Sequence, residues 1–183
     1  MSRSMLNDIF LFAMMLVVAG ILTMAMILQY RGGEIPCPLC LLQRVGMFGV
    51  CFGIIVHFRH GPSARNTGVS MVFALFLLIV SARQTLLDIY PRPGHDYIGS
   101  AILGLHMPVW SILIAVAILL AFSVKLAVLG EPRDDRDARS RLALNKLASL
   151  LGLYVIVLCA INFVSVIAQC GFGACHTTGY RLL

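Results

Sequence analysis

Two cysteines three positions apart, in the run Pro36-Cys37-Pro38-Leu39-Cys40, are the residues best placed to do chemistry in this chain. A thiol pair at this spacing can close to a disulfide and reopen by exchange with another dithiol. Pro36 and Pro38 hold the approach extended and favour a helix beginning near Leu39 or Cys40. At such a helix start, unpaired amides and the positive end of the helix dipole favour a thiolate at Cys40. Cys40 is therefore the candidate electron donor. Arg44 lies four residues on, one turn deeper on the same helical face. A cation at that depth in an apolar segment needs an anion or a polar ligand, which a thiolate or a quinone carbonyl would supply. Arg83, in a later apolar segment, is expected at comparable depth, with Gln84 beside it and Asp88 about one turn on. The alternatives are a structural staple for the two cysteines and a snorkelling anchor for Arg44. Both prolines, the helix start and two nearby arginines together favour redox chemistry.

The other four cysteines fall into two kinds. Cys170 and Cys175 form a second pair close to the C-terminus, in Cys170-Gly171-Phe172-Gly173-Ala174-Cys175. Cys51 and Cys159 sit in the middle of long apolar stretches, where cysteine is ordinarily a small apolar packing residue. Cys37, Cys40, Cys170, Cys175 and His176 include enough ligands for tetrahedral zinc, a reading ranked below redox exchange and below a structural disulfide because the spacing is not decisive. Cys175-His176 is not a haem-attachment motif, its cysteines being too far apart. His95, His106 and His176 read as polar surface.

The elements that must position these groups belong to a bilayer. Of 183 residues, 60% are apolar and only 12% charged, a composition of membrane proteins. Five stretches, roughly 9–29, 41–58, 69–89, 108–129 and 148–169, reach the ~20 apolar residues that a spanning helix needs. The fold class is thus an all-α membrane protein, one integral-membrane unit over 1–183. The first apolar stretch is too long for a signal-peptide core and lacks a small-residue cleavage site, so it reads as a retained helix. Arg3, Arg59, Arg65, Lys125, Arg133, Arg136, Arg139, Arg141 and Lys146 gather on one side of the membrane, against Arg31, Arg44, Arg83, Arg92 and Arg181 on the other. The positive-inside rule then places the N-terminus in the cytoplasm and the C-terminus outside. Both cysteine pairs fall on the outer face, where disulfides persist, although the topology was set by Lys and Arg alone.

The net charge of +6 is explained by basic loops against an anionic leaflet, with no nucleic-acid partner. Residues 130–145 read as a solvated charged connector. The 90–107 connection opens on the turn Pro91-Arg92-Pro93-Gly94 and continues as a short apolar piece suited to the interface. Tyr90, Tyr97 and Trp110 suit an aromatic belt. Gly46, Gly49 and Gly53 lie on roughly one side of the second helix and predict close approach of a neighbour. The methionines of the first helix, Met14, Met15, Met24 and Met26, are assigned to lipid and core contact rather than to copper.

Pro36-Cys37-Pro38-Leu39-Cys40-Leu41-Leu42-Gln43-Arg44, Ser81-Ala82-Arg83-Gln84 followed by Tyr90-Pro91, and Gly104-Leu105-His106-Met107-Pro108-Val109-Trp110 resemble the disulfide bond formation protein B (DsbB) family of bacterial inner-membrane thiol oxidases. The resemblance covers about 9–129 and implies a four-helix bundle, to which this chain adds a fifth helix and outer tail at about 148–183. It implies a protein-dithiol:quinone oxidoreductase with ubiquinone or menaquinone as acceptor, and Gln43, Arg44 and Arg83 as candidate quinone-binding residues. It also implies a soluble DsbA-like thioredoxin-fold partner that delivers electrons through a second cysteine pair between the third and fourth helices. Here 90–107 contains no cysteine, and His106 stands where the family usually has an acidic residue. The expectation is that Cys170 and Cys175, returned to the outer face by the fifth helix and made mobile by two glycines, replace the loop pair. Competing readings are an outward electron exporter that keeps an external thiol protein reduced, and a non-enzymatic metal-binding or assembly subunit.

Overall fold

The computed structural model describes residues 3–33, 35–89, 104–130 and 138–171, with side chains in the last stretch from residue 143. The regular elements among them are five helices: α1 (Arg3–Arg31), α2 (Pro38–His60), α3 (Ala64–Ile89), α4 (Met107–Leu129) and α5 (Ala138–Cys170). All five are long and apolar enough to cross a membrane. The shortest has 23 residues, which at the helical rise gives about 35 Å against a hydrocarbon core of about 30 Å. The polarity of the surface agrees with lipid as solvent. Leu16, Val72, Leu120 and Phe163 point outward, whereas Asn7, Ser70, Gln84, Asn162 and Gln169 are buried. In a bilayer the amides and hydroxyls turn inward because only other protein groups can satisfy them.

The three-residue link at 61–63 and the short link after Arg31 force α1, α2 and α3 to run antiparallel. α2 packs against α1 and α3, α3 against α4, and α4 touches α1, so the first four helices close a ring; α5 lies against α1 and α2. Leu11, Met15, Val18 and Leu22 of α1 meet Val50, Cys51 and Ile54 of α2, Leu77 of α3 and Phe122 of α4 in the core, with Val155 added from α5. The ring of Phe10 stands edge-on to that of Phe122 at 6.0 Å.

The expected close approach along α2 is seen against α3. A Cβ on Gly46 would stand 3.0 Å from that of Leu77, and one on Gly53 would stand 2.7 Å from the Asn66 carbonyl oxygen. Two expectations need correcting. The charged connector is shorter than read, because α5 begins at Ala138; the Ala, Leu, Arg and Lys content of 138–147 favours helix despite its charge. Cys159 is exposed on the outer face of the bundle and not packed inside it, unlike Cys51. The 90–103 connection and the basic residues at 133 and 136 lie outside the described residues.

Candidate active site

The helix of the dithiol starts slightly earlier than expected. Pro38 occupies its first turn and Cys37 is the N-cap, its Sγ accepting the Cys40 amide N–H at 3.1 Å. Cys37 thus takes the position usually held by serine or aspartate, and Cys40 is the third helical residue. Both are free thiols, Cys37 buried and Cys40 half-buried. A side-chain hydrogen bond between the two sulfurs, then burial, then the charge that Cys40 carries as thiolate push the Cys37 thiol up, and the Cys40 and Leu39 amides only partly offset this.

A chain of amides surrounds the sulfurs. Gln84 Nε2 of α3 donates to Cys37 Sγ at 3.3 Å and to Cys40 Sγ at 3.5 Å. Its Oε1 accepts from Gln43 Nε2 at 2.9 Å, and Gln43 Oε1 accepts from Ser111 Oγ of α4 at 3.1 Å. Ser111, Gln43 and Gln84 thus form a chain in which the N–H end of Gln84 meets the sulfurs.

One turn below Cys40, the buried Arg44 is held from two sides. On α1 it donates to Gln29 Oε1 and, through Nη2, to the Ala25 carbonyl at 3.1 Å. On α5 it donates to Asn162 Oδ1 at 3.2 Å. The last turn of α5 reaches the same end of the bundle, where Gln169 Nε2 donates to the Pro36 carbonyl at 2.7 Å. Beside it, Cys170 is buried and disulfide-bonded. Cys175 and His176 lie outside the described residues. A cavity of about 170 Å³ opens between the end of α3 and the start of α4, lined by Thr85, Asp88, Ile89, His106, Pro108 and Val109.

Of the residues singled out by sequence, the structure gathers Cys37, Cys40, Gln43 and Arg44 in one cluster and brings Cys170 to the same end. Arg83 is exposed. Successive helical residues point about 100° apart, so a helix that turns Gln84 to the sulfurs turns Arg83 away. Sequence reasoning marks Gln84 only as the neighbour of Arg83 and misses Gln29, Ser111, Asn162 and Gln169. The sign that marks them is a polar side chain within an otherwise apolar span.

Residues 7–96 match the family model described as disulfide bond formation protein DsbB. The disulfide bond formation protein B of Aromatoleum aromaticum is 34% identical over 79 residues, 41% of this chain and 48% of the relative. That of Chromobacterium violaceum is 33% identical over 106 residues, 52% of this chain and 61% of the relative. That of Marinobacter nauticus is 36% identical over 96 residues, 45% of this chain and 55% of the relative. The chain therefore spans about half the length of the curated relatives it matches. No solved structure matches it. Over residues 7–96, which carry both thiols, Gln84, Gln43, Gln29 and Arg44, the chain belongs to the disulfide bond formation protein DsbB family.

Proposed function

We propose that the chain is a thiol:quinone oxidoreductase of the bacterial inner membrane, with its dithiol end on the periplasmic side. It would generate disulfides in a soluble DsbA-like thioredoxin-fold partner and pass the electrons to ubiquinone or menaquinone. The observation that carries this reading is the dithiol at a helix start, with one amide aimed at both sulfurs and a buried guanidinium a turn below. The direction of electron flow follows the name of the relatives, disulfide bond formation protein B.

The residues suit a quinone. Its carbonyls accept hydrogen bonds, and Arg44 and Gln43 bring donors to the dithiol end from within the membrane. Ser81, one turn below Gln84 on α3, is fully buried and its hydroxyl has no partner among the described residues, which leaves a polar atom for a ligand to satisfy. When bound, the quinone accepts two electrons and two protons. On the protein side, Cys40 gives up its electrons as thiolate, Cys37 attacks Cys40, and the Cys37–Cys40 disulfide closes as both thiol protons are lost. Arg44 and Gln84 favour negative charge near Cys40 before the transfer.

Reopening the disulfide needs an external dithiol. Cys170 is the candidate relay, with Cys175: the Gln169 contact to Pro36 holds the end of α5 next to the residue that precedes Cys37. A disulfide at Cys170 also counts against the zinc reading, since it leaves no thiolate there. Quinone reduction by the purified protein, supplied with a reduced thioredoxin-fold donor, tests the whole reading. Cys40→Ser is expected to abolish turnover and Cys170→Ala to lose it with the protein donor. Turnover by Cys40→Ser would overturn the oxidase reading, and full turnover of Cys170→Ala would overturn the relay alone.

A further inference from the structure

α5 lies wholly outside the 7–96 match, yet its polar contacts run to the dithiol site. Tyr154, Asn162, Ser165 and Gln169 recur at intervals of eight, three and four residues. At about 100° per residue they fall within an arc of about 80°. That stripe faces α1 and α2. Tyr154 shares a hydrogen bond of 2.7 Å with Thr23 and Ser165 one with Tyr30. Asn162 and Gln169 instead meet functional groups of the site: the Arg44 guanidinium at 3.2 Å and the carbonyl of the Pro36–Cys37 peptide at 2.7 Å.

Helix docking alone does not require such groups. α5 is apolar enough to sit in lipid, small residues and leucines pack helices adequately there, and a buried amide is costly unless its partner is specific. Asn162 and Gln169 are both buried, at 3% and 0% exposure. Asn162 gives Arg44 Nη1, which also donates to Gln29, a second acceptor, so the guanidinium bridges α1 and α5. Gln169 fixes the peptide that leads into the N-cap, and with it the orientation of Cys37 Sγ towards Cys40.

We propose that α5 is a working part of the redox site, in which Asn162 and Gln169 are positioning residues, the first for the Arg44 guanidinium and the second for the Cys37 N-cap. This rests on the thiol:quinone reading for Asn162 and on the dithiol alone for Gln169.

The test uses the full-length protein with a short-chain ubiquinone analogue, and two readouts. Asn162→Leu is expected to raise KM for the quinone analogue about tenfold, with a smaller fall in kcat, and Asn162→Asp, which keeps the acceptor, to restore it. Gln169→Leu is expected to shift the Cys37–Cys40 equilibrium constant against glutathione about tenfold, a measurement that needs no quinone. Tyr154→Phe breaks a contact of the same stripe away from the thiols and is expected to leave both readouts unchanged. If Asn162→Leu does not fold, Asn162→Ala replaces it. The inference is overturned if both quantities stay within twofold of wild type in these variants, or if Tyr154→Phe moves them equally. A wild type inactive towards quinone would end the functional reading, while the glutathione equilibrium would still decide the role of Gln169.

Discussion

At the dithiol, the side chain that organises the sulfurs is a glutamine. An amide can accept at one end and donate at the other, and Gln84 uses both: its oxygen takes the Gln43 N–H while its nitrogen donates to Cys37 and Cys40. Hydrogen bonds to a charged group contribute about 1.5–3 kcal/mol. Gln84→Leu, close in size but without donors, is therefore expected to slow alkylation of the reduced pair and quinone reduction by about tenfold or more. Gln84→Glu should be worse, because a carboxylate at this point repels a thiolate. Stopped-flow alkylation of both variants checks the order, and unchanged rates in Gln84→Leu would remove the amide from the mechanism. The thiols and Arg44 were legible because prolines, spacing and a lone charge in an apolar helix each restrict the possibilities. Gln84 was not, because its neighbour Arg83 carries the more conspicuous charge. Only the packing of α3 decides which of two adjacent residues points inward. In the fold, Gln84 continues the buried stripe of Ser70, Ala74, Leu77 and Ser81 at helical spacing.

At the level of elements, all five spans follow from hydropathy alone, since about 20 apolar residues have few other uses. Hydropathy does not say which faces meet, and in lipid no apolar stripe marks the core. Small residues carry that information. The glycines of α2 are read correctly as a contact face, and α3 is the helix that meets them. Their tolerance to a methyl group should differ. At Gly49 the three nearest atoms all belong to the Phe73 ring, with Cγ and Cδ1 far inside contact distance, so Phe73 must change rotamer to admit the methyl group. At Gly53 it meets the Asn66 carbonyl oxygen at 2.7 Å and the Ser70 amide nitrogen at 2.9 Å, both backbone atoms. The Ser70 hydroxyl is also committed there, donating to the Val50 carbonyl at 2.9 Å. Gly53→Ala is thus expected to destabilise by about 1–3 kcal/mol, and more than Gly49→Ala. Thermal unfolding in detergent would show the ranking, and equal melting temperatures of the two variants would overturn it. Charge hides the helical start of α5 at Ala138, because it suggests a loop although the same residues are good helix formers.

Across the whole molecule, two buried polar clusters stand at opposite ends of α2. At one end are the thiols; at the other, His57 Nε2 lies 3.2 Å from Asp8 Oδ1 of α1, with Asn7 Nδ2 3.3 Å from the same carboxylate oxygen. The 17 positions between Cys40 and His57 correspond to roughly 25 Å along the helix, too far for either cluster to touch the other. Both nevertheless tie α2 to α1, since Arg44 reaches Gln29 and Ala25 on the same helix. The His57–Asp8 cluster is therefore expected to set the pose of α2 without entering the chemistry. Asp8→Leu would leave the buried His57 Nε2 with the 3.5 Å contact to Asn7 Nδ2 in place of the carboxylate, at a cost of about 1–3 kcal/mol for a poorly satisfied polar group. Replacing both partners, Asp8→Leu with His57→Phe, removes that group and should recover most of the loss. Denaturation of the two variants, set beside their quinone-reduction rates, separates stability from chemistry. The single variant should melt lower while the rate per folded molecule stays close to wild type. A rate that falls when the His57–Asp8 cluster is broken would show instead that α2 transmits strain from one end of the bundle to the thiols at the other.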